Sequence, residues 1–241
     1  SITRLHPPAS AVLVESTGAA RPWPLIAALT QNPAFQLRHF IVTVDALNLH
    51  RDWEDGAALD AQSIADPALR GAAAVLVEQA RFAGIIVLTR SGGQSDALGG
   101  TLAGLVAGRP VLRTRIRPTR LVAADGTEMP PSHLAGRRVF AFAGIARPDS
   151  FRQTLEGLGA EVAGFRAFPD HHRYDAGVVQ QIEKALRETG AEILVTTEKD
   201  GVKLFGVAAF SRRLFCLAVE TELLDGADAL ETALTVCIGR R

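Results

Sequence analysis

Residues Gly136–Leu204 read GRRVFAFAGIARPDSFRQTLEGLGAEVAGFRAFPDHHRYDAGVVQQIEKALRETGAEILVTTEKDGVKL, and the rhythm of this stretch decides the fold. Three short apolar runs, Val139–Ala143, Glu161–Phe168 and Ile193–Thr196, alternate with two segments of helical pattern. That alternation predicts consecutive β-α-β units and a parallel sheet. Each run ends in polar residues: Gly144–Pro148, then Pro169-Asp170-His171-His172, then Thr197-Glu198-Lys199-Asp200. In an open parallel sheet the carboxyl ends of the strands share one edge, so these three loops are expected to converge on one crevice.

Asp149 or Ser150 is placed to cap a helix running to Leu158, with Gly159 as its stop. Asp175 is placed to cap a second helix, in which Val178, Val179, Ile182 and Leu186 form an apolar stripe and Gly190 ends the run. Beyond the stretch, Leu214–Val219 reads as a further strand and Ala227–Ile238 as a last amphipathic helix.

The segments AFAGIARP, GAEVAGFRAFPDHHRY and VTTEKDGVKL, in this order and spacing, resemble the C-terminal lobe of the tetraacyldisaccharide 4'-kinases, the ATP-dependent lipid A 4'-kinases of Gram-negative bacteria. Each is short alone, but together they are specific and cover roughly the last half of the chain. The resemblance implies transfer of the ATP γ-phosphate, with Mg2+, to the 4' position of a lipid A disaccharide precursor. It also implies a cytoplasmic protein at the cytoplasmic face of the inner membrane, with peripheral contact to it. Asp170 and His171 match the family's Asp-His pair, in which the His orients or tunes a catalytic aspartate from the other lobe, and His172 and Tyr174 would line the acceptor side.

Read from the residues alone, a His beside a carboxylate suits proton acceptance from a sugar hydroxyl. The same letters also fit a Pro-Asp turn at a strand end with exposed histidines. In Thr196-Thr197-Glu198-Lys199-Asp200, Lys199 is placed to reach a phosphate and Glu198 or Asp200 to hold a lobe interface. Alternatively, Asp200 caps a turn while Lys199 and Glu198 pair on the surface. Gly144–Pro148 either brings backbone close to a ligand at a helix N-terminus, a reading to which Arg147 adds weight, or makes a tight turn.

Upstream, Ala11–Val14 reads as a strand ending in Glu15-Ser16-Thr17-Gly18. This is either a carboxylate presented toward magnesium or an attacking water, or a helix start capped by Ser16 or Thr17. Phe40–Val44 is a second run, ending at Asp45; a polar, helical stretch leads to Val75–Ala80 and then to Gly84–Arg90, again an α/β order. VLVESTGAARPWPLIAALTQNP, HFIVTVDALNLHRD and EQARFAGIIVLTRSG resemble the post-Walker-A part of the cobalamin-biosynthesis W type metal-chaperone GTPases. Leu88-Thr89-Arg90-Ser91-Gly92 lacks the lysine and aspartate of that family's base-reading motif, and its ending is similar to the corresponding strand of the lipid A 4'-kinases. Glu15, Thr17, Asp45 and Arg90 are the nucleotide or metal candidates of this half.

No G-x-x-x-x-G-K-[ST] loop is present: Lys184, Lys199 and Lys203 are the only lysines, and none follows a glycine pair. The Asp-Asp-Gly-Leu/Phe-Gln segment of the kinase pattern is absent too. A metal-chaperone type GTPase-derived binding module and a non-catalytic scaffold therefore stand beside the kinase reading.

Arg109–Arg138 differs in character, with five arginines up to Arg120, an Asp125-Gly126 hairpin signal and Pro130-Pro131. The arginines fit a solvated strand face of alternating charge, or contact with lipid phosphate. The expected division is a P-loop-NTPase-like lobe without Walker A over 1–112, a β-hairpin linker over 113–136 and a second Rossmann-like lobe over 137–241, both mainly parallel. The chain has 241 residues, 47% hydrophobic, with a net charge of +0. That leaves ample material for a core and gives no support to a nucleic-acid partner. Cys216 and Cys237 are expected as buried reduced thiols. His6, His39, His50 and His133 are read as structural or exposed. No apolar run approaches the ~18 residues of a membrane span.

Overall fold

The structure is a computed structural model and describes residues 11–60, 64–91, 98–170, 172–207, 210 and 213–238. In chain order its elements are α1 (Pro22–Thr30), β1 (Ile41–Asp45), α2 (Ala46–Trp53), α3 (Pro67–Phe82), β2 (Ile85–Thr89), α4 (Gly100–Leu105), β3 (Val111–Ala123), β4 (Glu128–Met129), β5 (Arg138–Ala143), α5 (Pro148–Gly157), β6 (Glu161–Ala167), α6 (Ala176–Thr189), β7 (Ile193–Thr197), α7 (Glu198–Gly201), β8 (Leu214–Asp225) and α8 (Ala227–Ile238). This is a mainly parallel α/β protein. Internal packing divides it into two units, Ser1–Ile116 with Thr221–Arg241, and Arg117–Glu220.

In the first unit β1 pairs β2 in parallel, and β2 pairs β3 in parallel. Val42, Val44, Leu49, Ile86, Leu88 and Leu102 are buried together, since α2, α3 and α4 are the crossovers of these parallel strands. Asp45 ends β1 and caps α2, accepting from the Leu47 and Asn48 amides at 3.1 and 3.2 Å. Val75–Ala80 lies inside α3, which starts with Pro67 behind an Asp66 cap. On the other side of the sheet, Ala229, Leu230 and Ala233 of α8 pack with Ile85 and Leu112.

The strand expected over Ala11–Val14 does not form: residues 11–17 belong to no element, and Leu13 is 93% exposed. Four apolar residues are too few to hold themselves extended without a neighbouring strand and a core to cover them. Helix α1 follows an Arg21 cap position with Pro22 at its start, so neither Ser16 nor Thr17 caps it.

The second unit holds four parallel strands in the order β8-β7-β5-β6. Alternate residues of β5 serve its two faces. Val139, Ala141 and Ala143 join Phe151 and Leu155 of α5, while Phe140 and Phe142 join Val179, Ile182 and Leu186 of α6. Asp175 caps α6 through the Val178 amide at 2.9 Å, and Gly190 closes it with φ +62°, as the sequence pattern predicts. The cap of α5 falls on Arg147 instead of Asp149 or Ser150. Pro148, lacking an amide to satisfy, takes the first turn, and the Ser150 hydroxyl donates back to the Arg147 carbonyl at 2.8 Å.

The Asp125-Gly126 hairpin is present, pairing Leu121 with Met129. It belongs to the second unit, and β3 enters it as one continuous strand of 13 residues. These units differ from a division at 112 and 136, because residues from 221 onward return to the first unit to cover Ile85 and Leu112. In the first unit Arg113 pairs with Asp225 at 2.8 Å and Arg115 with Glu222 at 2.7 Å. In the second, Arg117 and Arg120 face Glu220, with Arg120 also 3.1 Å from Glu128. Arg109 donates to the Ala80 and Arg81 carbonyls. This is the charge-alternating strand face of the sequence reading. Cys216 is buried in β8, whereas Cys237 in α8 is only partly buried, and both are free thiols. Among the described residues no helix is long and apolar enough to cross a membrane.

Candidate active site at the carboxyl edge of the second unit

The chain passes from β5 outward to β6 and then back across β5 to β7, so the direction of strand order reverses between β5 and β7. The carboxyl ends at such a reversal diverge and leave a crevice, the usual ligand position in an open parallel sheet. The three loops singled out in the sequence meet there. The Gly144 amide at the tip of β5 donates to Asp200 Oδ2 at 2.8 Å, joining it to the turn after β7. The Phe168 amide donates to the Ala143 carbonyl at 2.9 Å, and Lys199 Nζ lies 2.6 Å from Asp170 Oδ1.

Asp200 is fully buried and lies at the centre of this rim. Its Oδ2 also accepts from the Thr197 hydroxyl at 2.8 Å, and Lys203 Nζ lies 3.4 Å from Oδ1. Thr197, and not Asp200, caps the following turn, its Oγ1 accepting from the Asp200 amide at 3.2 Å. Lys199 pairs with Asp170 in place of its neighbour Glu198, which is exposed in the first turn of α7. Gly144 is required by close approach: a Cβ there would lie 3.0 Å from both Asp200 Oδ1 and Tyr174 Oη and 3.2 Å from the Pro169 carbonyl.

His172 stacks on Phe168 with ring centres 4.6 Å apart, and Tyr174 meets both rings edge-on. The His172 Nε2 and Tyr174 Oη atoms are both buried, and His172 Nε2 has no hydrogen-bond partner among the described residues. Burial first, then the Asp200 charge, pushes the Tyr174 hydroxyl well above the ordinary tyrosine pKa. Arg147, at the start of α5, is half-buried on the β5 loop. His171 lies outside the described residues.

Of the first-unit candidates, Asp45 and Arg90 come together at the ends of β1 and β2 as an ion pair, with Asn48 Nδ2 donating to Asp45 Oδ2 at 3.1 Å. Glu15 and Thr17 are exposed on the irregular segment before α1. Sequence reasoning missed Lys203 and Phe168. The signal for Lys203 was its spacing of one helical turn from Lys199 in a chain with few lysines.

A buried carboxylate, two lysines and an aromatic wall thus gather at the topological switch point of a parallel α/β unit. The chain belongs to the LpxK family, Tetraacyldisaccharide-1-P 4'-kinase, which matches it over residues 67–238. It is 36% identical over 190 residues to the tetraacyldisaccharide 4'-kinase of Syntrophus aciditrophicus, covering 73% of this chain and 48% of that protein. With the enzyme of the same name from Anaeromyxobacter dehalogenans strain 2CP-C the identity is 46% over 136 residues, covering 55% of this chain and 36% of the relative. The chain thus spans about half the length of these curated relatives, or less. The crystal structure of LpxK from Aquifex aeolicus in complex with ATP is 19% identical, with 94% of this chain and 86% of that one covered and a TM-score of 0.42, too low to place residues. Since the family match begins at residue 67, Leu88-Thr89-Arg90 falls within it, and the resemblance of the front half to the W type GTPases gains no support.

Proposed function

We propose that this chain serves ATP-dependent phosphorylation of the 4' position of a tetraacyldisaccharide lipid A precursor, its part being the acceptor side of the reaction. The observation that carries this reading is the Lys199–Asp170 pair at the switch point, in a chain whose family is the 4'-kinases. Asp170 with His171 handles the proton of the attacking hydroxyl, and His172 and Tyr174 wall the sugar. A kinase of this kind supplies positioning and electrostatics and little covalent chemistry, which suits a rim held by charge pairs.

The usual phosphate cradle for ATP and Mg2+ is not found among the described residues. The sequence has no glycine loop ending in Lys-Ser or Lys-Thr, and among the described residues there is no group of three or more His, Cys, Asp or Glu able to hold a metal. Asp45 is committed to capping α2 and to Arg90, and Glu15 and Thr17 are exposed. The lipid acceptor carries with it a peripheral contact at the cytoplasmic face of the inner membrane.

The test supplies the chain with γ-labelled ATP, Mg2+ and tetraacyldisaccharide 1-phosphate in detergent micelles. Label is expected at the 4' position, and it should disappear in Asp170→Asn and in His171→Ala. A folded wild-type chain that transfers no label overturns the reading, and GTP binding indifferent to lipid would favour the binding-module alternative.

A further inference from the structure

The lysines of α7 and its following turn both reach the loop after β6. Lys199 pairs with the Asp170 carboxylate, and Lys203 donates to the His172 carbonyl at 3.1 Å while lying 5.6 Å from the Tyr174 ring centre. Lys203 is in turn 3.4 Å from Asp200 Oδ1, and Oδ2 of the same carboxylate holds the Gly144 amide and the Thr197 hydroxyl. One buried carboxylate thus ties together the tip of β5, the turn after β7 and, through Lys203, the loop bearing Asp170. A fully buried carboxyl group is costly unless its oxygens are hydrogen-bonded, and capping of α7 is already done by Thr197, so turn formation alone does not account for an aspartate here.

We propose that Asp200, acting through Lys203, is a positioning residue that fixes the loop after β6 against the tip of β5 and so sets where Asp170 presents its carboxylate. Its kinetic consequence rests on the kinase reading above; its structural consequence does not. Asp200→Asn removes the charge at nearly constant volume, and Lys203→Met removes the strap while leaving the buried carboxylate its Gly144 and Thr197 bonds. Lys203→Arg is the conservative variant.

Amide hydrogen exchange and transfer kinetics are measured side by side. In Asp200→Asn and Lys203→Met, the amides of Asp170, His172, Arg173 and Tyr174 are expected to exchange about tenfold faster or more, with amides of β1 and β2 unchanged. kcat should fall by about tenfold or more at a KM within about twofold, the mark of an interaction that orders reacting groups, and Lys203→Arg should recover most of it. The proposal is overturned if loop exchange in folded variants matches wild type, or if faster exchange is spread evenly over the second unit together with a lowered Tm. Should Asp200→Asn fail to fold, Lys203→Met decides. Should the wild type transfer no phosphate, the kinase reading falls, and the exchange data still accept or reject the positioning role.

Discussion

Lys199 Nζ stands 2.6 Å from Asp170 Oδ1 across the end of β5, because the two residues follow β7 and β6, which flank β5 without touching each other. The pair closes the rim over a strand that contributes neither partner. Both side chains are about two-fifths exposed, at 42% and 41%, so water screens their attraction.

Lys199→Met should therefore cost no more than about 1 kcal/mol in urea unfolding. Under the kinase reading, transfer should fall much further than stability, since the lost pair orients Asp170. Raising salt should slow the wild type and leave the variant's residual rate nearly flat, which a chloride titration of both proteins checks.

Gly144→Ala places a methyl 3.0 Å from Asp200 Oδ1 and Tyr174 Oη and 3.2 Å from the Pro169 carbonyl. The aspartate is held by its own bonds and the carbonyl is backbone, so little can give way. A loss of about 1–3 kcal/mol is expected, read as a lower denaturant midpoint at unchanged slope.

Gly201 meets a harder wall, as an added Cβ would come 1.9 Å from the buried Cys216 Sγ. Gly201→Ala should destabilise more than Gly144→Ala. Cys216→Ala removes the obstructing sulfur, so the double variant should be more stable than the sum of the single losses predicts. A double-mutant cycle in urea measures that coupling, and strict additivity would contradict the close approach.

Burial first, then the nearby Glu198 and Asp200 carboxylates, pushes the Cys216 thiol up to about 12. The unfolded chain releases this proton near the ordinary thiol value, so above pH ~9 the unfolded state binds fewer protons than the native state and stability falls as pH rises. The contribution is fully present below that pH and is lost progressively up to the native value. Its slope is at most about 1.4 kcal/mol per pH unit. Tyr174, also raised, adds a loss of the same sign at higher pH. Cys216→Ala should flatten the first part of the profile and Tyr174→Phe the second, as followed by thermal melts across alkaline buffers.

The second unit was legible in the sequence because its signals are local. The span of α6 is written in Asp175, the Val179, Ile182 and Leu186 stripe and Gly190, and the apolar runs of β5 and β7 end where their polar tips begin. The convergence of those tips followed from strand direction alone. The Ala11–Val14 run misled because apolar letters do not say whether a neighbour exists to accept them. The Asp200 hub was not legible as such: its first partner, the Gly144 amide, is 56 residues away, and whether a carboxylate is a surface cap or a buried anchor depends on packing that no local pattern encodes.

The second unit is one unbroken segment, while the first is interrupted by it and resumes only at Thr221. During synthesis the inserted segment can reach its native form while its host still waits, with Ile85 and Leu112 bare until α8 emerges from the ribosome to shield them. The host that begins first matures last, and in that interval its sheet is open to chaperones and to wrong partners.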